Sequence, residues 1–286
     1  MSHHEEAVRE QSEVWKNRLF PFVPMNDRQP KPRTRSITEI RGPYYASVTP
    51  TYLKELFEVF GEHIDGLKFS GGSFSLLPEE AVRKYLAIAH DAGLYVSTGG
   101  WIENVLARAA HHVDDYIAEV KRLGFDYVEL STGFIQLPVP DLLRLIEKVK
   151  KAGLKAKPEI GIQFGAGGDT TREELEAEGT RDPQILIDTA NAALNAGAAI
   201  IMIESEGITE NADPWRTDVA AKIMKEVGQA NVMFEAADPK VFEWYIKNYG
   251  IDVNLFVDHS QVFQLECLRR GVWGTKSTFG RITTHR

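Results

Sequence analysis

From about position 36 onward, short runs of β-branched and aromatic residues alternate with longer stretches in which apolar residues recur every three or four positions. The first pattern fits strands, whose side chains alternate between two faces, and the second fits helices with one buried stripe. Strands are predicted at 37–41, 66–70, 94–98, 127–131, 154–159, 199–204, 232–236 and 253–258. The helical patterns between them include 52–60 and 82–92, each with an apolar face suited to packing on a sheet. Gly61, Gly93, Gly124, Gly153, Gly197, Gly228 and Gly250 stand at helix ends, where a left-handed cap favours glycine. Eight such units in regular alternation predict an α/β fold, a (β/α)8 TIM barrel of parallel strands. The segment 25–35, rich in proline and charge, reads as an extended arm, giving an N-terminal extension at 1–35 and a barrel domain at 36–286. The polar, glycine-rich stretch 165–182 is expected to be a long loop after the fifth strand, on the face where such barrels carry their chemistry.

Composition narrows the classes of partner. A chain of 286 residues that is 43% hydrophobic and 26% charged fills one large core. A net charge of −8 with a pI near 5.6 argues against nucleic acid as a partner, because phosphate backbones need a clustered basic surface. Cys267 is the single cysteine, which excludes an intramolecular disulfide and a cysteine-based zinc cluster. The N-terminus has neither a basic nor an apolar signal region, and its His3 and His4 read as a solvated end. No apolar run approaches the roughly 20 residues of a membrane helix, so no membrane partner is expected and a cytoplasmic location fits.

Strand parity supplies the candidate chemistry. With Val128 and Leu130 facing the helices, Glu129 and Ser131 point into the barrel, and Ile201 and Ile203 do the same for Met202 and Glu204. Phe234 outward places Glu235 inside, and Leu255 and Val257 outward place Asn254 and Asp258 inside. Glu39 and Arg41, Lys68 and Ser70, and Lys155, Lys157 and Glu159 follow the same rule. Every predicted strand but the third therefore aims a charge at the interior. Isolated, each reads equally well as a buried ion pair; together they favour a site for a metal and an anionic ligand. Glu129, Glu204 and Glu235 are the candidate ligands of a hard cation such as Mg²⁺.

Two loops add neutral donors. Ser70-Gly71-Gly72-Ser73 follows the second strand, and Thr98-Gly99-Gly100 follows the third. Glycine backbone can turn its N–H groups toward a phosphate or sulfonate, and Arg41 and Lys68 lie on neighbouring strands. His259, directly after Asp258, either acts as an acid, base or ligand or orients its loop. His111 and His112 read as a solvated pair, and Phe242 and Trp244 as packing residues.

These residues resemble the phosphosulfolactate synthase family, especially the branch of plant heat-stress-associated proteins. The likeness spans about 31–274 and rests on Lys31-Pro32-Arg33, the run from Thr38 to Tyr45, the run from Gly66 to Ser73 and Tyr95-Val96-Ser97-Thr98-Gly99-Gly100. It continues in Val128-Glu129-Leu130-Ser131, Phe234-Glu235-Ala236, Val253-Asn254-Leu255 and the run from Leu265 to Gly271. The resemblance implies a Mg²⁺-dependent lyase, a homo-oligomer, that adds sulfite to phosphoenolpyruvate and yields 3-phosphosulfolactate. Such a reaction needs cations where charge gathers on enolate and carboxylate oxygens, and an acid to protonate the adjacent carbon. Lys157 is the inward-facing acid candidate, with a pKa that burial beside other cations would lower, and Glu159 and His259 complete the candidate catalytic set.

Three departures from the synthases stand out. Their fifth strand runs into a Glu-x-Gly-Lys segment, whereas here Glu159-Ile160-Gly161 is followed by Ile162 and Gln163. Arg41 stands near the position of an aspartate, and the loop after the sixth strand reads Glu204-Ser205-Glu206-Gly207-Ile208-Thr209-Glu210-Asn211 in place of an arginine-containing segment. The alternatives are an aldolase-type barrel with Lys157 as a Schiff base, and a non-catalytic stress-associated barrel that binds partners or metabolites.

Overall fold

A computed structural model describes residues 18–179, 182–272 and 275–284; His3 and His4 lie outside these described residues. Eight parallel strands close on themselves in sequence order: β1 (Thr38–Arg41), β2 (Gly66–Lys68), β3 (Tyr95–Ser97), β4 (Tyr127–Ser131), β5 (Lys155–Ile160), β6 (Ile201–Ile203), β7 (Val232–Glu235) and β8 (Asn254–Asp258). The chain therefore forms the (β/α)8 barrel that its alternating pattern predicts.

The surrounding helices are α1 (Pro50–Phe60), α2 (Glu79–Asp91), α3 (Ile102–Ala109), α4 (Val113–Leu123), α5 (Val139–Lys151), α6 (Arg172–Ala177), α7 (Gln184–Asn195), α8 (Thr217–Ile223), α9 (Pro239–Tyr249) and α10 (Val262–Arg270). Their starts follow local chemistry: Thr49 caps α1 ahead of Pro50, Asp238 caps α9 ahead of Pro239, and Thr171 with Glu174 forms a capping box on α6. Six of the predicted cap glycines take positive φ, but Gly61 is right-handed at φ −56°, because the chain there tightens into the turn Gly61–His63. Phe242 is fully buried and Trp244 packs against the same core.

Two apolar regions divide the interior. The larger lies between strands and helices and includes Leu67, Val128, Ile203, Phe234 and Leu255. The smaller, Ile200, Met202, Met233 and Phe256, lies inside the barrel with Ile37 and Tyr127 against it. Register places the charges: Glu129 pairs with Lys157 and Ser131 with Glu159 across β4 and β5, while Arg41 pairs with Lys68 and with Asp258. Residues two apart on a strand thus form successive interior layers.

The segment before β1 is extended as expected and is pinned across the opposite, N-terminal face of the barrel. Arg28 pairs with Glu266 at 2.6 Å and Asp65 at 3.3 Å, and Arg33 with Asp65 at 2.9 Å. Arg269, fully buried, donates to the carbonyls of Ile251 and Val253. These guanidiniums satisfy backbone and carboxylate groups that the barrel end would otherwise bury unpaired. Among the described residues no helix is long and apolar enough to cross a membrane.

Candidate functional site

At the C-terminal strand ends a cavity of about 550 Å³ opens. Of the residues chosen from sequence, Arg41, Lys68, Ser70, Gly71, Gly100, Glu129, Ser131, Glu159, Glu204 and Glu235 line it. Lys68 lies 2.6 Å from Glu159 Oε2 and 2.9 Å from Glu129 Oε1. Burial alone would depress the Lys68 ammonium, but Glu129 and Glu159 overcome it and hold the group well above the usual lysine range. Arg41 pairs with Glu235 at 2.9 Å, and its guanidinium lies over Phe256 and Tyr45.

The carboxylates that converge are Glu159, Glu204 and Glu235, whose oxygens lie within 4.8 Å of one another. This trio differs from the sequence expectation by one residue. Glu129 is fully buried between Lys68 and Lys157, whose ammonium groups already occupy its oxygens at 2.9 Å and 3.0 Å. Burial and the Glu159 charge still push Glu129 up to about 7, against the pull of the two lysines. Glu204 is held well above the usual carboxylate range by burial and by the Glu235 and Glu159 charges, and Glu235 is raised by burial with Glu159 adding to it.

Other expectations are corrected by layer and direction. Lys157 sits one layer below the cavity, fully buried and bonded to Glu39 at 2.5 Å, and its neighbours are carboxylates rather than cations. Asp258 turns to cap the turn His259–Gln261, accepting from Ser260 N at 2.9 Å. His259 bonds the Tyr52 hydroxyl of α1 at 2.8 Å, outside the cavity lining. Ser73 bonds the Pro43 carbonyl, Gly72 packs on Trp101, and Gly99 is needed for close approach: a Cβ there would lie 2.0 Å from Phe69 O. Ile162 is buried and Gln163 donates to Leu175 O, so neither replaces the missing lysine in the cavity.

Several lining groups escaped the strand reading because they sit on loops or a helix start, where strand parity does not apply. Glu103, in the first turn of α3, accepts from Ser131 Oγ at 2.5 Å and from the Gly133 and Phe134 amides at 2.8 Å each, while Ser131 Oγ also lies 2.8 Å from Glu159. Burial raises Glu103 despite these donors. Glu206 accepts from the Gly167, Gly168 and Thr170 amides at 2.6, 3.2 and 3.0 Å, folding the stretch after β5 over the cavity. Thr209 and Glu210 form the adjoining wall, and Tyr44, Tyr45 and Phe134 stand at the mouth. An acid soon after a strand end was the available signal for Glu206, and an acid in the first turn of the helix after β3 for Glu103.

Fold and site together define a parallel (β/α)8 barrel with a cleft of carboxylates and lysine at its C-terminal face. Residues 26–275 match the family model of (2R)-phospho-3-sulfolactate synthase (ComA), and the chain belongs to that family. It is 41% identical over 265 residues to Protein HEAT-STRESS-ASSOCIATED 32 of Arabidopsis thaliana, covering 89% of this chain and 91% of that one. It is 24% identical over 262 residues to a phosphosulfolactate synthase of Methanothermobacter thermautotrophicus, covering 89% and 95%. Among solved structures, KGPDC from Streptococcus mutans superposes with a TM-score of 0.50 at 12% identity, covering 86% and 97% of the two chains. A phosphonopyruvate hydrolase gives 0.51 at 12% identity, covering 82% and 80%. These two likenesses concern the fold alone.

Proposed function

We propose that the cleft binds a small phosphorylated carboxylate beside Mg²⁺ and adds a nucleophile to it, with sulfite and phosphoenolpyruvate as the pair to which the family points. The observation that carries this reading is the convergence of Glu159, Glu204 and Glu235 beside Lys68 and Arg41. The donor set fits the ion. All three are hard oxygen ligands, and the five interior carboxylates, these with Glu39 and Glu129, outnumber the cations Arg41, Lys68 and Lys157 by two. Bound there, Mg²⁺ would supply positive charge for substrate oxygens that become more negative during addition.

The chain's own groups do the rest. Arg41 and Lys68 anchor the carboxylate end, and Ser70 with the Gly71 backbone faces the phosphate. As the sulfur lone pair forms the bond to the methylene carbon, the double-bond electrons move to the neighbouring carbon, which takes a proton. Lys68, and not the sealed Lys157, is the ammonium that reaches this space. A carbanion is basic enough to take its proton, and solvent entering the open cavity returns one to the amine.

Incubation with phosphoenolpyruvate, sulfite and MgCl2, followed by mass spectrometry, is expected to yield 3-phosphosulfolactate. Calorimetry is expected to show Mg²⁺ binding weakened about tenfold or more in Glu204→Gln and Glu235→Gln. If neither metal binding nor product appears, the reading is wrong. One observation favours a second reading, a barrel that binds metabolites without this turnover: the chain after β5 presents Ile162 and Gln163 away from the cavity. Metal binding without product would select it.

A further inference from the structure

The cavity is electrically lopsided. Nine acidic side chains line it against two cations, Arg41 and Lys68, and both cations are already paired with floor carboxylates. A divalent ion on the floor and one anionic group on Arg41 and Lys68 still leave the wall after β6 without a positive partner. In that wall Thr209 lines the cavity, is 6% exposed, and its Oγ1 has no hydrogen-bond partner. A buried hydroxyl left unpaired is costly, so its position points to a ligand group that completes it.

Beside it, Glu210 Oε2 accepts from Ser205 Oγ at 2.6 Å, and its carboxylate has no ion pair among the described residues. Tyr44 and Tyr45, with centroids 4.5 Å apart, stand at the mouth. The cavity already holds one organic cation in this manner: the Arg41 guanidinium lies 4.8 Å from the Tyr45 centroid and bonds Glu235. Carboxylate and free hydroxyl together suit an alkylammonium, whose N–H groups bond both oxygens. A metal ion would instead call for several more oxygen ligands.

We propose that Thr209 and Glu210 form a subsite for the ammonium group of a small ligand whose phosphate or carboxylate end lies on Arg41 and Lys68. Only the second half rests on the function proposed above. The class implied is a phosphorylated or carboxylated amine, a zwitterion that matches both signs of the cavity.

The test uses the full chain and two matched probes, O-phosphoserine and 3-phosphoglycerate, which differ in an ammonium against a hydroxyl. Calorimetric titration is expected to show O-phosphoserine bound about tenfold more tightly. In Glu210→Gln, and in Thr209→Val as a second variant, the preference is expected to shrink to about threefold or less, with no loss of 3-phosphoglycerate affinity. Equal affinity for the two probes in the unaltered chain overturns the subsite. Ethylammonium separates the two readings: if it alone binds, and Glu210→Gln abolishes that binding, the subsite stands and the anion anchors fail. If none of the three probes binds, the subsite is overturned. Mn²⁺ binding at a second site that Glu210→Gln removes would assign the wall to a metal and overturn it as well.

Discussion

Lys68 and Lys157 share a partner in Glu129 and differ in what lies above them. Lys68 meets the cavity, whereas Lys157 is enclosed by Glu39 and Glu129. Removing one member of a buried ion pair leaves the other charge without compensation, which outweighs the loss of the pair's own attraction. Lys157→Met is therefore expected to lower stability by about 3–5 kcal/mol, read from the shift of the urea unfolding midpoint. Borohydride reduction with a small keto acid is expected to leave no adduct on Lys157, since a substrate carbonyl has no access to it; an adduct there would restore the Schiff-base reading. The sequence made the inward direction of both lysines legible, because the period of two is strict. Height along the barrel was not legible. It depends on register, Glu129 against Lys157 and Ser131 against Glu159, which only the closed sheet sets. The same ignorance of layer put Glu129 in place of Glu159 among the carboxylates expected to converge.

At the level of elements, the eight strands and their helices were readable because each repeats a local pattern, and the stretch after β5 was legible from its polarity as a connection on the cavity's face, although part of it winds into α6. What holds that loop was hidden, because the contact is non-local. Glu206, on the chain after β6, gathers three amides of the loop, and Gly167 approaches Glu204 so closely that a Cβ would lie 2.9 Å from its Oε2. Gly167 also has φ +94°, where L residues are strained. Glu206→Ala frees those amides while leaving the barrel core untouched. Hydrogen exchange at Gly167 and Thr170 is expected to accelerate about 10–100-fold, equivalent to roughly 1–3 kcal/mol of local protection. Exchange at β4 and β5 amides should stay as it was. Unchanged protection at Gly167 would show that the loop is held by its own turns and not by Glu206.

Over the whole molecule, the two ends of the barrel solve opposite charge problems. Guanidiniums at the N-terminal face hold Glu266 well below the usual carboxylate range: burial opposes this, and Arg28 leads the groups that overcome it. The C-terminal floor has surplus acid, and burial with mutual repulsion raises Glu204 and Glu235, while Glu129 reaches about 7. A carboxyl raised on folding stabilises the fold below its unfolded pKa, and that contribution is lost as pH rises through the folded value. Glu266, lowered on folding, behaves oppositely: its contribution is present at neutral pH and lost in acid. The metal-free floor should accordingly lose stability as pH climbs from the ordinary carboxyl range through neutrality. If Mg²⁺ is held by Glu204 and Glu235 as proposed, it competes with protons there, so its binding should release protons, and its effect should grow as those protons leave. Thermal melts are expected to show a Tm gain from MgCl2 that is larger by about 2–4 °C near pH 8 than near pH 6, equivalent to roughly 1 kcal/mol. Titration in two buffers of different ionisation enthalpy would count the protons released. An equal gain at both pH values, with no proton release, would mean that metal and protons do not share these carboxylates, and the proposal that Glu159, Glu204 and Glu235 hold the metal would fail.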